Sequence, residues 1–165
     1  MLITGYHGTS EMYAHSILSE GKYNISGSNT EWLGNGIYFY ECFSDALNWK
    51  CKHGEVKTVL HSVIQITDDA YLDIDSPAGE KVWRDILDYI CKATNIKLTG
   101  TEQEQQCAAC RILWDTNPSI MVIAGSFPTE PSQARVLIDK RIRRREFCVR
   151  NNEPIKCTQI IDYRG

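Results

Sequence analysis

The chain has no apolar run of about 18 residues, the length a membrane-crossing helix needs, so no transmembrane segment is expected. Its opening, MLITGYHGTS, has neither a basic start nor a long apolar stretch, which argues against a secretory leader. A cytoplasmic protein with no membrane partner is therefore expected. Internal repeats and low-complexity linkers are absent, and 165 residues are enough to bury a sizeable core, so one domain spanning 1–165 is expected. A strong charge imbalance is also missing. The net charge of −3 suggests neither a nucleic-acid binder nor a membrane-surface protein overall. The spacing of metal ligands is missing too. Of seven cysteines only Cys107 and Cys110 lie close together, and no second CxxC or HxxxH completes a ligand set. No metal is expected, and the pair reads better as one helical turn of core thiols. An odd, scattered cysteine set fits a reducing compartment.

What is present is ordinary globular composition, 42% apolar and 24% charged, with the charge unevenly spread. TDDAYLDID at 67–75 is acidic and reads as a solvated turn and strand end. KRIRRREFCVR at 140–150 is basic. Ile3 to Tyr6 reads as a strand feeding HGT. Ser10 can cap a helix to about Ser19, with Gly21 as its stop. Residues 22–30 read as a loop, GIYFYE as a strand, and Ser44 as the cap of a short helix carrying Ala46 and Trp49. VKTVLHSVIQI at 56–66 is the longest β-rich stretch. Glu80 to Ala93 has helical spacing, with Trp83, Ile86, Leu87, Ile90 and Ala93 in one stripe. Thr101 with Glu104 forms a capping box that opens a helix to about Trp114. Strand signals follow at 120, 135, 146 and 156. Strands dominate both ends and helices fill the middle, which predicts an α+β fold with mainly antiparallel strands.

Three short pieces stand out: YHGTS at 6–10, GNGIYF at 34–39 followed by Trp49, and REFCVR at 145–150. Each alone has a plain reading. A strand-end histidine is usually a satisfied polar residue, Gly-Asn-Gly a turn, a tyrosine-rich strand part of the core, and an acid after a basic run a solvated one.

In this order the pieces resemble the diphtheria-toxin-like branch of the ADP-ribosyltransferase superfamily. This is the His-Tyr-Glu class that includes the poly-ADP-ribose polymerases and many bacterial toxins. The match covers residues 6 to about 51, with a second aromatic, Trp49, eleven residues after Tyr38. The final piece is EFCVRN, an acid opening a late strand; residues 67–134 align with nothing in the family. The resemblance implies two packed, mainly antiparallel sheets with flanking helices and an NAD cleft between them. It implies that NAD is the co-substrate, held by His7, Gly8, Thr9, Gly36, Tyr38 and Trp49. His7 would bond the adenine-side ribose, and the backbone of Gly8 would hold the nicotinamide carboxamide. Glycine suits a place where a ligand nears the main chain. Gly34 and Gly36 would let the chain turn and pass close to the cofactor. Tyr38 would stack on the nicotinamide and Trp49 would close the other face, each aromatic contact adding about 0.5–1.5 kcal/mol beyond burial. A cationic ring between two aromatic faces gains further. The serine that grips the carboxamide in the polymerases is replaced by Ala46, with Ser44 one turn away.

The implied chemistry is cleavage at the nicotinamide–ribose bond. Positive charge builds on the ribose as nicotinamide leaves, as in glycoside cleavage, and a fixed carboxylate stabilises it. Glu146 is the residue for that role, with His7 and Tyr38 completing the triad. Strand alternation puts Glu146, Cys148 and Arg150 on one face and the apolar Phe147 and Val149 on the other. Glu153, before Pro154 in a turn, is the second choice.

Arg143, Arg144 and Arg145, with Lys140 and Arg141, read either as a solvated edge strand or as a phosphate-binding rim for the NAD pyrophosphate or a nucleic-acid acceptor. The chain lacks the helical regulatory domain of the nuclear polymerases, so transfer of a single ADP-ribose is expected. The acceptor is a macromolecule, nucleic acid (RNA included) or protein. The resemblance further implies a bacterial toxin or anti-phage defence enzyme with a possible antitoxin or inhibitor partner. Three other readings stay open: an NAD glycohydrolase, an inactive module that binds ADP-ribose or a partner, and a cysteine–histidine hydrolase, for which no local signature exists.

Overall fold

The computed structural model describes residues 1–28, 31–93, 100–128 and 143–162. The elements run β1 (Leu2–Ser10), α1 (Glu11–Glu20), β2 (Ile37–Tyr40), α2 (Phe43–Leu47), β3 (Lys57–Gln65), β4 (Tyr71–Asp73), α3 (Pro77–Ala93), α4 (Glu102–Thr116), β5 (Val122–Pro128), β6 (Arg143–Val149) and β7 (Ile155–Ile160). A short 3-10 turn over Asp68–Ala70 precedes β4.

Local chemistry sets the helix ends. The Ser10 hydroxyl accepts from the Tyr13 amide at 3.5 Å, and Gly21 closes α1 in the left-handed region at φ 66°. Thr101 and Glu104 form the expected capping box on α4. The second helix departs from expectation. It starts at Phe43 after Cys42, which makes no side-chain cap bond, and Ser44 lies inside the first turn. The strand expected near 135, and Lys140 and Arg141, lie outside the described residues.

The seven strands form one sheet in the order β4-β5-β6-β2-β1-β3-β7. All neighbours are antiparallel except β4 and β5, which run parallel. This corrects the expectation of two packed antiparallel sheets with a cofactor cleft between them: the sheet is single and mixed. Two features overturn it. The pair Tyr6↔Tyr40 carries the ladder from β1 into β2. The acidic 67–75 stretch is more than a turn, because Tyr71–Asp73 pairs with Val122–Ala124 as a parallel edge. A parallel pair needs a long crossover, which α3 and α4 provide. Amphipathic spacing reveals which residues become strands, but not which strands they join.

Each face of the sheet carries a core. On one, Phe39, Leu60, Phe147 and Val149 pack with Ala14 and Ile17 of α1 and with Tyr23. The Phe39 and Phe147 rings stack at 5.4 Å. On the other, Ile123 and Cys148 pack with Leu33 and with Cys110, Leu113 and Trp114 of α4. A fully buried side chain of this size contributes roughly 1.5–3 kcal/mol. Cys107 and Cys110 are buried free thiols on one turn of α4, the placement their spacing suggested. Among the described residues, no helix is long and apolar enough to cross a membrane, and no group of His, Cys, Asp and Glu side chains could hold a metal.

Candidate active site

The three short pieces, the last more than a hundred residues beyond the first two, fall on the adjacent strands β1, β2 and β6. Tyr6 pairs with Tyr40, Tyr40 with Glu146, and Glu146 with Gly125. Cross-strand partners share a face, so Tyr6, Tyr40 and Glu146 lie side by side. Alternation adds Tyr38 and Cys148 to that face.

Glu146 is half-buried, and its carboxyl is pushed up to about 7. Burial is the main cause. The nearby charges of Glu31 and Asp45 add to it, and Arg144 opposes them. Arg144 sits two residues earlier on the same strand, its Nε 3.4 Å from Asp45 Oδ1. Glu31 accepts from Ser26 Oγ at 2.7 Å. The next residue, Trp32, stacks on Phe127 with ring centres 4.9 Å apart, and Phe127 is the cross-strand partner of Arg144. The result is a carboxyl that gains and loses its proton near neutrality, set among aromatic rings and two further carboxylates. Such perturbation suits a group that meets developing charge.

Tyr38 is held firmly. Its hydroxyl accepts from the Leu33 amide at 2.9 Å and donates to the Gly34 carbonyl at 2.7 Å. Burial raises its pKa, so it stays protonated. Only its ring remains for a ligand. The glycines around it answer to the fold. Gly34 has φ 81°, and a Cβ on Gly36 would collide with Cys148 Sγ. Gly36 also exchanges backbone bonds with Ser26.

Gly8 has a similar explanation. A Cβ there would strike the Ala46 carbonyl and the Trp49 Cβ, so the close approach it permits is made by α2 itself. Ala46 is fully buried against it, whereas Trp49 begins above it and remains partly exposed. Thr9 is buried, and its carbonyl accepts from Cys51 Sγ at 3.6 Å.

His7 does not join Glu146. It falls on the alternate face of β1, where its cross-strand partner is Leu60. Its ring lies edge-on to Tyr23 at 5.1 Å and tilted on Phe39 at 5.9 Å. Nδ1 is 2.8 Å from the Tyr38 carbonyl, and burial lowers the pKa of the ring despite that bond. His7 is thus neutral and ties β1 to β2 just past the Tyr6↔Tyr40 pair.

The basic run does not form one rim, because alternation divides it. Arg144 faces Glu146. Arg145 faces the other way and is spent on protein: Nε bonds Glu41 at 2.6 Å, Nη2 bonds Asp73 at 2.7 Å and Nη1 bonds Asp75 at 2.8 Å. Arg143 is exposed at the end of β6, opposite Pro128. Glu153 is exposed in the turn before β7. A depression of about 290 Å³ lined by Ile3, Thr4, Glu41, Tyr71 and Phe147 lies on the Arg145 side, away from Glu146.

Glu31, Tyr40 and Asp45 lie near Glu146 without having been singled out from sequence. Only their nearness to GNG and to Ala46 could have pointed to them. Compared with known proteins, the chain matches no family model and no curated sequence.

Proposed function

We propose that the protein is a mono-ADP-ribosyltransferase, which cleaves NAD at the nicotinamide–ribose bond and passes ADP-ribose to a macromolecule. The observation that carries this reading is the register Tyr6↔Tyr40↔Glu146, which sets the three resembling pieces on neighbouring strands with the acid half-buried among aromatic rings. One feature fits a dinucleotide: Glu146 keeps partial access. Two fit less well: the space beside Gly8 is taken by α2, and His7 lies on the other face of the sheet from Glu146.

NAD supplies a ribose carbon bearing a good leaving group, neutral nicotinamide. The chain supplies the rest. Ionised Glu146 faces the positive charge that develops on that ribose, in a setting poor in water and therefore of strong field. The Tyr38 ring, fixed through its hydroxyl, offers a flat apolar wall, and Trp49 offers a second aromatic surface near Gly8. Arg144, partly neutralised by Asp45, keeps the Glu146 carboxyl from rising further. His7, on the other face, serves the site indirectly by tying β1 to β2 through the Tyr38 carbonyl. The acceptor class, nucleic acid or protein, is carried by the resemblance alone, as are a toxin or defence role and an antitoxin partner.

The test uses labelled NAD, a cell lysate, the wild type and Glu146→Gln. Label should enter a macromolecular fraction with the wild type and fall at least about 100-fold in the variant, the scale of losing a charge-stabilising group. Digestion with protease, RNase or DNase then names the acceptor. Free nicotinamide without labelled macromolecule would make water the acceptor. NAD left intact by the wild type would sink the proposal.

A further inference from the structure

We infer that Glu31 is a second catalytic carboxylate of this site: it takes the proton from the acceptor, while Glu146 faces the charge on the ribose. This rests on the transferase reading above and adds the group that activates the acceptor.

Glu31 belongs to a loop, yet that loop is fixed to the face that carries Glu146. Trp32 stacks on Phe127, the cross-strand partner of Arg144. Leu33 is fully buried in the core that contains Cys148. The Tyr38 hydroxyl bonds the Leu33 amide and the Gly34 carbonyl. Upstream, Ser26 is held by its backbone bonds with Gly36. The charge of Glu31 reaches Tyr38, Tyr40 and Glu146, three side chains of that one face. Of the charged groups around Glu146, it acts on that carboxyl most strongly.

Its own surroundings leave Glu31 able to act. Ser26 Oγ donates to Oε1 at 2.7 Å, which holds the carboxylate without cancelling its charge. Among the described residues Oε2 has no hydrogen-bond partner, and the side chain is half-buried rather than enclosed. Asp45, the other carboxylate near Glu146, differs. Arg144 Nε lies 3.4 Å from its Oδ1, so a guanidinium already matches its charge.

One carboxylate serves both steps poorly. A proton taken from the acceptor would discharge Glu146 while positive charge still stands opposite it. Two carboxylates in different surroundings divide the work, as they do in glycoside cleavage. The bond from the ribose C1′ to the nicotinamide nitrogen breaks, and its electron pair leaves with nicotinamide, which becomes neutral. A lone pair of an acceptor hydroxyl or N–H group forms the new bond to C1′. The proton that group sheds passes to Glu31 Oε2 and from there to water.

Glu31→Gln keeps the shape and an oxygen for Ser26 while removing the base. With labelled NAD and a cell lysate, transfer to macromolecules should fall at least about 100-fold, the usual scale for a lost general base. Nicotinamide release without lysate should fall by less than about tenfold, because water captures a charged ribose with little help from a base. Glu146→Gln should lose both. Formate should raise transfer by Glu31→Ala several-fold, standing in for the missing carboxylate, and leave Glu146→Gln unmoved. Full transfer by either Glu31 variant would overturn the inference and leave the transferase reading standing. So would an equal loss of transfer and release in a Glu31→Gln protein with a wild-type melting profile. A wild type that frees nicotinamide but labels no macromolecule would overturn it as well, since no acceptor proton would need a base. If the wild type leaves NAD intact, both readings fall together.

Discussion

A carboxyl half-buried beside a half-buried tyrosine and near two other carboxylates holds its proton more tightly than it would in water. Glu146 is in that position, with its folded pKa at about 7 against roughly 4.3 in an unfolded chain. Between those values the folded protein binds the extra proton. Its stability is therefore greatest below the unfolded value and falls as pH rises through 7. Glu146→Gln mimics the protonated form and escapes this loss. After allowance for partial exposure, the variant should be more stable than the wild type by about 2 kcal/mol at pH 8. The two should be nearly equal at pH 4. Urea unfolding at both pH values checks it, and a variant less stable at pH 8 would show that Glu146 is not held in a strained charge state. Greater stability joined to lost activity is the usual mark of a site kept for function. At this scale the sequence was partly legible. Glu146 stood out because it reads as the opening of a strand after a basic run, although β6 begins three residues earlier, at Arg143. Glu31 and Asp45 did not, because the loop and helix that carry them meet β6 only in three dimensions.

Among elements, β6 is the clearest case of pattern without partners. A single sequence shows that three arginines adjoin Glu146, and clustering alone invites the idea of one basic surface. The two-residue period of a strand breaks that surface apart. Arg145 becomes a clamp that draws Glu41 at the end of β2, Asp73 of β4 and Asp75 before α3 to one guanidinium. Without it, three carboxylates would face one another across strands. Arg145→Met should cost about 1–3 kcal/mol at pH 7, below the value for fully buried pairs because the cluster is partly exposed. The cost should shrink in about 1 M salt, which screens partly exposed charges. Urea denaturation at low and high salt measures it, and a cost that is small or independent of salt would mean the cluster does not hold β6. The capping box of α4 and the Gly21 stop of α1 were readable for the opposite reason: the atoms that make them lie within one turn.

For the molecule as a whole, strands were easier to foresee than their assembly. Most described strands coincide with β-rich stretches of the sequence, yet their union in one sheet depends on the single registered pair Tyr6↔Tyr40, which no periodicity could announce. On one side of that pair stand β1, β3 and β7, with β1 and β3 in register over nine residues. On the other stand β4, β5, β6 and β2. The His7 bond to the Tyr38 carbonyl is a second tie at the same place. So narrow a junction should open more readily than the long ladders beside it, since local opening follows the bonds that must break. A ligand lying along the face shared by Tyr6 on β1, Tyr40 on β2 and Glu146 on β6 would span it. NAD at 100 times its dissociation constant should then stabilise Glu146→Gln by about 2.7 kcal/mol. It should also slow amide hydrogen exchange chiefly around Tyr6, His7 and Phe39, leaving the β3–β7 ladder unchanged. Nicotinamide alone, too short to cross the junction, should not reproduce the effect. Protection confined to one side of the junction, in a protein whose wild type consumes NAD, would place the cofactor on that side and remove its role as a bridge.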